Sequence, residues 1–206
     1  METDEYDEEF EVQCQGIDDR TVEFLTHVLQ RNSLLKKLNL TRNDIGARGV
    51  KKIFEAFTCN DCACVEEIIL DFNQNGHLGD QTGARAIGNF LATNSTLKII
   101  SLVSNGINDD GAAAIAEGLK KNSTLKKLIL DKNKIDVRGA KAIAEALKVN
   151  STLKTLVLNG IELQDEGAEA FVELLKVNST LNRLYLGDNH ISDEVGKALG
   201  DARCVF

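Results

Sequence analysis

No apolar run in the sequence approaches the roughly 18 residues that a membrane-spanning helix needs. The first ten residues, METDEYDEEF, contain no basic residue, whereas a secretory or transit segment would be basic there. A soluble, cytoplasmic protein is expected. Positive charge is also in short supply: 24 Lys and Arg stand against 32 Asp and Glu, a net charge of −8. Broad nucleic-acid binding gains its affinity from neutralised phosphates, so this balance argues against it. Five cysteines without an export signal read as free thiols rather than a disulfide framework. Cys204 lies third from the end and misses the prenylation pattern. No phosphate-binding loop or dinucleotide fingerprint is present, and His27, His77 and His190 are far apart, with no nucleophile and carboxylate spaced for a triad. No enzyme activity, cofactor, metal, membrane or small-molecule substrate is expected.

What the chain does have is a period. LKIISLVSNGI, LKKLILDKNKI, LKTLVLNGIEL and LNRLYLGDNHI begin at Leu97, Leu125, Leu153 and Leu181, each 28 residues after the last. Towards the N-terminus the series continues at Val65 and Leu35 with units of 32 and 30 residues, and a degenerate copy begins near Asp7, with Phe10, Val12 and Ile17 on the apolar positions. Seven units are predicted, starting near residues 7, 35, 65, 97, 125, 153 and 181. Residues 1–6 read as a short acidic tail and 7–206 as one repeat domain.

Within L-x-x-L-x-L the second and third apolar residues lie two apart and share one face of an extended strand. In GAKAIAEALK, Ala140, Ile143, Ala144 and Leu147 make one apolar stripe at helical spacing. Neither element hides its apolar side alone. Stacked copies bury both between a parallel sheet and a row of helices. Gly49, Gly83, Gly111, Gly139 and Gly167 open the helices where bulk would obstruct packing, and the NST triplets at Asn94, Asn122, Asn150 and Asn178 close them. Although they match glycosylation sequons, the triplets are read as structural punctuation.

On these residues the chain resembles leucine-rich repeat proteins, specifically the ribonuclease-inhibitor-like subclass with a long helix in every unit. The resemblance implies an α/β solenoid: a curved arc with a parallel β-sheet on the concave face and α-helices on the convex face. It also implies that Asn43, Asn105, Asn133 and Asn189, with Asn73 or Asn75 in the third unit, turn their amides inward as an asparagine ladder. Ile161 departs from that ladder, which puts local rigidity between the fifth and sixth units in question.

Two motifs suggest other chemistry. DFNQNGHLGDQT, Asp71–Thr82, has most of a calcium loop's oxygen spacing, but a strand precedes it and Thr82 stands where a bidentate carboxylate is required. It is read as a repeat loop with four extra residues. Cys59, Cys62 and Cys64 have a spacing that could begin a zinc site, but no fourth ligand lies within reach, so they are read as an ordinary loop. Asp109 and Asp110 stand beside a helix start, where capping and the helix dipole favour them.

Strand positions pointing away from the core form the concave surface. The residue between the last two apolar positions reads Glu11, Asn39, Ile69, Ser101, Ile129, Val157 and Tyr185, an exposed row that becomes apolar towards the C-terminus. Near the strand starts Glu8, Lys36, Glu66 and Lys98 alternate in sign and should neutralise one another. Lys126 and Lys154 lack such partners. With Lys127, Lys132 and Arg183 they form a basic collar around Ile129, Val157 and Tyr185, which has the character of a binding hot spot. The expected function is a non-catalytic interaction module whose concave face takes another protein with an acidic and apolar surface. The resemblance also admits a regulator of a small GTPase of the activating type, or an actin-associated capping protein.

Overall fold

The computed structural model describes residues 8–58, 64–73, 81–200 and 203–205. Seven three-residue strands are β1 Glu9–Glu11, β2 Lys37–Asn39, β3 Glu67–Ile69, β4 Ile99–Ser101, β5 Lys127–Ile129, β6 Thr155–Val157 and β7 Arg183–Tyr185, followed by β8 Cys204–Val205. They alternate with α1 Thr21–Arg31, α2 Ala47–Thr58, α3 Gln81–Thr93, α4 Asp109–Lys121, α5 Val137–Val149, α6 Gln164–Val177 and α7 Asp193–Ala198. All eight strands lie parallel in one sheet in sequence order. The chain is thus an α/β solenoid with the sheet on its concave side. After the seventh unit the sequence continues as a shortened helical half with no following repeat strand, and it leaves open whether Val205 and Phe206 fold over the last unit. In the structure a short β8 is added beside β7, paired through Leu184↔Cys204 and Tyr185↔Val205.

Register follows from the period. Leu38, Ile68, Ile100, Leu128, Leu156 and Leu184 stand side by side across the sheet, and each is fully buried against the helices. Such a stack makes one continuous core from units too small to close a core alone. The helices approach closely where side chains are small. A Cβ on Gly88 would lie 2.2 Å from the Ala114 carbonyl oxygen, and one on Gly118 would lie 2.3 Å from the Gly88 carbonyl oxygen, so α3 and α4 can touch only through glycine. Between α2 and α3 the spacer is aromatic instead, with the Phe54 and Phe90 ring centroids 4.7 Å apart.

Two series of asparagines satisfy the bends. Asn133 donates from Nδ2 to the carbonyls of Leu102 and Leu130 at 2.9 and 2.8 Å, while its Oδ1 accepts from the Asn105 and Ile107 amides at 3.0 Å each. Asn43, Asn73, Asn105 and Asn189 repeat the pattern, which assigns the third unit's place to Asn73. The residue before each ladder position turns left-handed: Arg42, Phe72, Ser104, Lys132 and Asp188 have φ of 53–58°. In the unit that breaks the ladder, Gly160 takes this turn at φ 62°, and Ile161 is buried in the core while its amide donates to Asn189 Oδ1 at 2.9 Å.

The second series is the NST triplets. Asn122, Asn150 and Asn178 are buried, and their Nδ2 atoms donate to the carbonyls of Leu91, Leu119 and Leu147 at 2.7, 2.8 and 2.6 Å. Their Oδ1 atoms accept from the leucine amide that opens the next strand. A glycan would have to displace these amides from the interior. Burial alone therefore keeps the sequons at these three positions from acting as acceptors.

Asp109 lies in the first turn of α4, but it caps the neighbouring unit rather than its own. Its Oδ1 accepts the Asp136 and Gly139 amides at 2.9 Å each. Burial pushes this carboxyl up. Hydrogen bonds from the Asp136 carboxyl, the two amides and Arg138 outweigh that and leave it below the ordinary carboxylate range. Most of the calcium-like loop, including His77, lies outside the described residues, as do Cys59 and Cys62. Within the described part, Asp71 is committed to the Ser101 hydroxyl at 2.7 Å and the Val103 amide at 2.9 Å, and Cys64 is an exposed free thiol.

Candidate protein-binding face

Because side chains alternate along a strand, residues i, i+2 and i+4 share the concave side. Over β5, β6 and β7 this produces three rows. Lys127, Thr155 and Arg183 are register partners, as are Ile129, Val157 and Tyr185. Two residues further on, Asn159 N donates to Asp131 Oδ1 at 2.8 Å and Gly187 N donates to Asn159 Oδ1 at 2.7 Å, which ties the third row together. The first two rows, with Asp131 and Asn159, line a hollow of about 410 Å³.

The residues expected from sequence divide accordingly. Lys127, Ile129, Val157, Arg183 and Tyr185 meet at this hollow. Lys126 and Lys154 precede their strands and Lys132 follows in the left-handed turn, so none of the three lines it. The expectation of a fully exposed apolar row needs correction: Ile129 and Tyr185 are half-buried, and Val157 is only 9% exposed, recessed between its two strand neighbours. Thr155, Asp131 and Asn159 were missed. Stepping two residues either way from Ile129 and Val157, instead of starting from the lysines before the strands, finds all three.

Charge separates this region from the first half of the same face. There Lys36 pairs with Glu8 at 2.6 Å, Lys98 with Glu66 at 2.6 Å, and Lys37 with Glu11 at 2.7 Å and Glu9 at 3.6 Å. Among the described residues Lys126, Lys127, Lys132, Lys154 and Arg183 form no salt bridge. Burial pushes the Asp131 carboxyl up, against the Asn159 hydrogen bonds and the charges of Lys132 and Lys127 that pull it down. A larger groove of about 590 Å³ lies on the helical side over Ala113, Ala114 and Ala142. Its acidic rim is already matched, Asp110 to Arg138 at 3.0 Å, Glu117 to Lys120 at 2.5 Å and Glu145 to Lys148 at 2.5 Å. Arg85 on that groove also forms no salt bridge among the described residues, but the concave hollow gathers two such cations, Lys127 and Arg183, around Ile129, Val157 and Tyr185.

A family model for the leucine-rich repeat matches residues 31–54, 93–116, 121–144, 149–172 and 177–200, more than half of the chain. The chain belongs to the leucine-rich repeat family. The stretches of this leucine-rich repeat protein outside the match include the degenerate first unit and the lengthened third one. No curated protein matches the chain by sequence. Among solved structures it is similar to leiomodin-1 actin-binding site 2, at 25% identity over 75% of this chain and 81% of that one, with a TM-score of 0.52. An internalin from Listeria monocytogenes aligns at 17% identity over 96% of this chain and 86% of its own, with a TM-score of 0.31. No helix among the described residues is long and apolar enough to cross a membrane.

Proposed function

We propose that this leucine-rich repeat protein is a non-catalytic, cytoplasmic interaction module whose concave face over β5–β7 takes another protein through an acidic and apolar surface. The observation that carries this reading is the contrast in ion pairing. In the first half Lys37, in the same row as Lys127 and Arg183, is paired with Glu11 and Glu9, whereas Lys127 and Arg183 border a hollow floored by Ile129, Val157 and Tyr185 and form no salt bridge among the described residues. An aromatic anchor in a pocket with an arginine beside it is the composition in which interface energy concentrates. Lys126, Lys132 and Lys154 lie outside the hollow and act at a distance, speeding encounter with an acidic partner in a salt-dependent way.

The test is affinity capture from cell lysate with the wild type and with Tyr185→Ala and Arg183→Glu. Proteins held through this face disappear from both variants while circular dichroism stays native. Capture unchanged in both would remove the site assignment.

A second reading, actin association, draws on the likeness to the leiomodin-1 actin-binding site. Co-sedimentation with actin filaments, together with a binding assay on monomeric actin, decides it. Absence of binding to both forms leaves a partner of another kind.

A further inference from the structure

The hollow is basic on one rim only. Lys127 and Arg183 stand on the strand-start side and Asp131 on the loop side, with Ile129, Val157 and Tyr185 between them. Asp131 Oδ1 is occupied by the Asn159 amide at 2.8 Å, whereas Oδ2 has only a long contact, 3.4 Å, to Asn159 Nδ2. No cation forms a salt bridge with this carboxylate among the described residues. One oxygen of this carboxylate, which lines the hollow, is thus held only by that long contact. A uniformly acidic segment laid across the floor would meet attraction at one rim and like charge at the other.

The two rims are four residues apart along a strand, about 13 Å at roughly 3.3 Å per residue. An extended segment covers that distance in the same four residues, and its alternate side chains face one way. In a helix the same four residues rise only about 6 Å, so a helical segment would need about nine residues to reach both rims, and the extended one presents the three groups over the shortest stretch. We propose that the hollow selects an extended segment lying along the strand direction and carrying, at every second residue, an acidic side chain, an apolar one, and a basic or amide-bearing one. The inference rests on the reading of this hollow as the partner site and specifies the chemistry of what enters it. The acid meets Lys127 and Arg183, the apolar side chain packs on Ile129, Val157 and Tyr185, and the third group donates to Asp131.

Because the order of the charges along the chain follows from the direction in which the segment runs, Glu-Ser-Leu-Ser-Lys and Lys-Ser-Leu-Ser-Glu are both suitable probes. Glu-Ser-Leu-Ser-Glu and Lys-Ser-Leu-Ser-Lys serve as controls. Each is placed between Gly-Ser flanks and titrated into isotopically labelled full-length protein, with the Val157 and Tyr185 resonances followed. At least one mixed peptide should bind about fivefold tighter than either control. Asp131→Asn keeps an oxygen for the Asn159 amide and should reduce that advantage to about twofold or less, with an unchanged fold by circular dichroism. Tightest binding of the doubly acidic peptide, with Val157 and Tyr185 shifting, would overturn this inference and leave the basic-face reading standing. A mixed-peptide preference untouched by Asp131→Asn would also overturn it. If no peptide moves those resonances, both readings fall.

Discussion

The two halves of the concave face share backbone, register and core, and differ in what their outward side chains do with one another. From β1 to β4 the face is occupied by its own ion pairs, Glu8 with Lys36, Glu66 with Lys98, and Lys37 with Glu9 and Glu11. From β5 to β7 the copies of Lys36 and Lys98 are Lys126 and Lys154, and the copies of Lys37 and Asn39 are Lys127, Thr155 and Arg183 with Ile129, Val157 and Tyr185; among the described residues none of these cations forms a salt bridge. A repeat protein holds its fold in the positions that point inward and is free to vary those that point out. Function is therefore to be read from where the outward rows stop satisfying themselves.

The largest expected effect tests the shared core. Leu38 and Leu128 occupy the same template position, both fully buried, one under each half of the face. Truncation of either to alanine should cost about 2–5 kcal/mol by denaturant titration. A cost at Leu128 well below that at Leu38 would mean that the second half is not equivalently packed. Next in size is binding. Tyr185→Ala should weaken partner capture at least tenfold, by analogy with aromatic hot spots elsewhere, while Lys37→Glu in the first half should leave it within about twofold.

A smaller effect concerns Asp131, whose carboxyl burial raises above its unfolded value. The native state then holds the proton more tightly than the unfolded state, so stability falls as pH rises from about 4 through the native pKa, and the cost is fully present at pH 7. Asp131→Asn should accordingly raise the melting temperature at pH 7, with the gain shrinking as the pH is lowered towards about 4. A melting temperature lowered at pH 7 would contradict this. Smallest of all, Lys36→Ala breaks an exposed pair and should leave the melting temperature unchanged within error.

The fold and the register of the strands are legible in this sequence because the 28-residue period ties each apolar position to its copies. The ladder gap at Ile161 was visible as well, but not its remedy, which depends on Gly160 taking the left-handed turn and on Ile161 entering the core. Side-chain parity brings Ile129, Val157 and Tyr185 into one row, and the same parity two residues along adds Thr155, Asp131 and Asn159, which carry no charge pattern or apolar signal that marks them as a group. The recess of Val157 could not be read from one strand, because it is made by its neighbours Ile129 and Tyr185 on the strands beside it. The inter-unit cap by Asp109 was hidden for a similar reason: its acceptors' partners lie 27 and 30 residues away. What one strand or helix decides alone was open to inspection, and what two neighbouring units decide together was not.

The most direct test is amide hydrogen exchange of the full chain, free and with a protein captured through it. Slowed exchange should appear in residues 127–131, 155–159 and 183–187, and the strands Glu9–Glu11 and Lys37–Asn39 should exchange as in the free chain. Protection centred on the first two strands, or on the helices alone, would contradict the assignment of the partner to the unpaired half of the sheet.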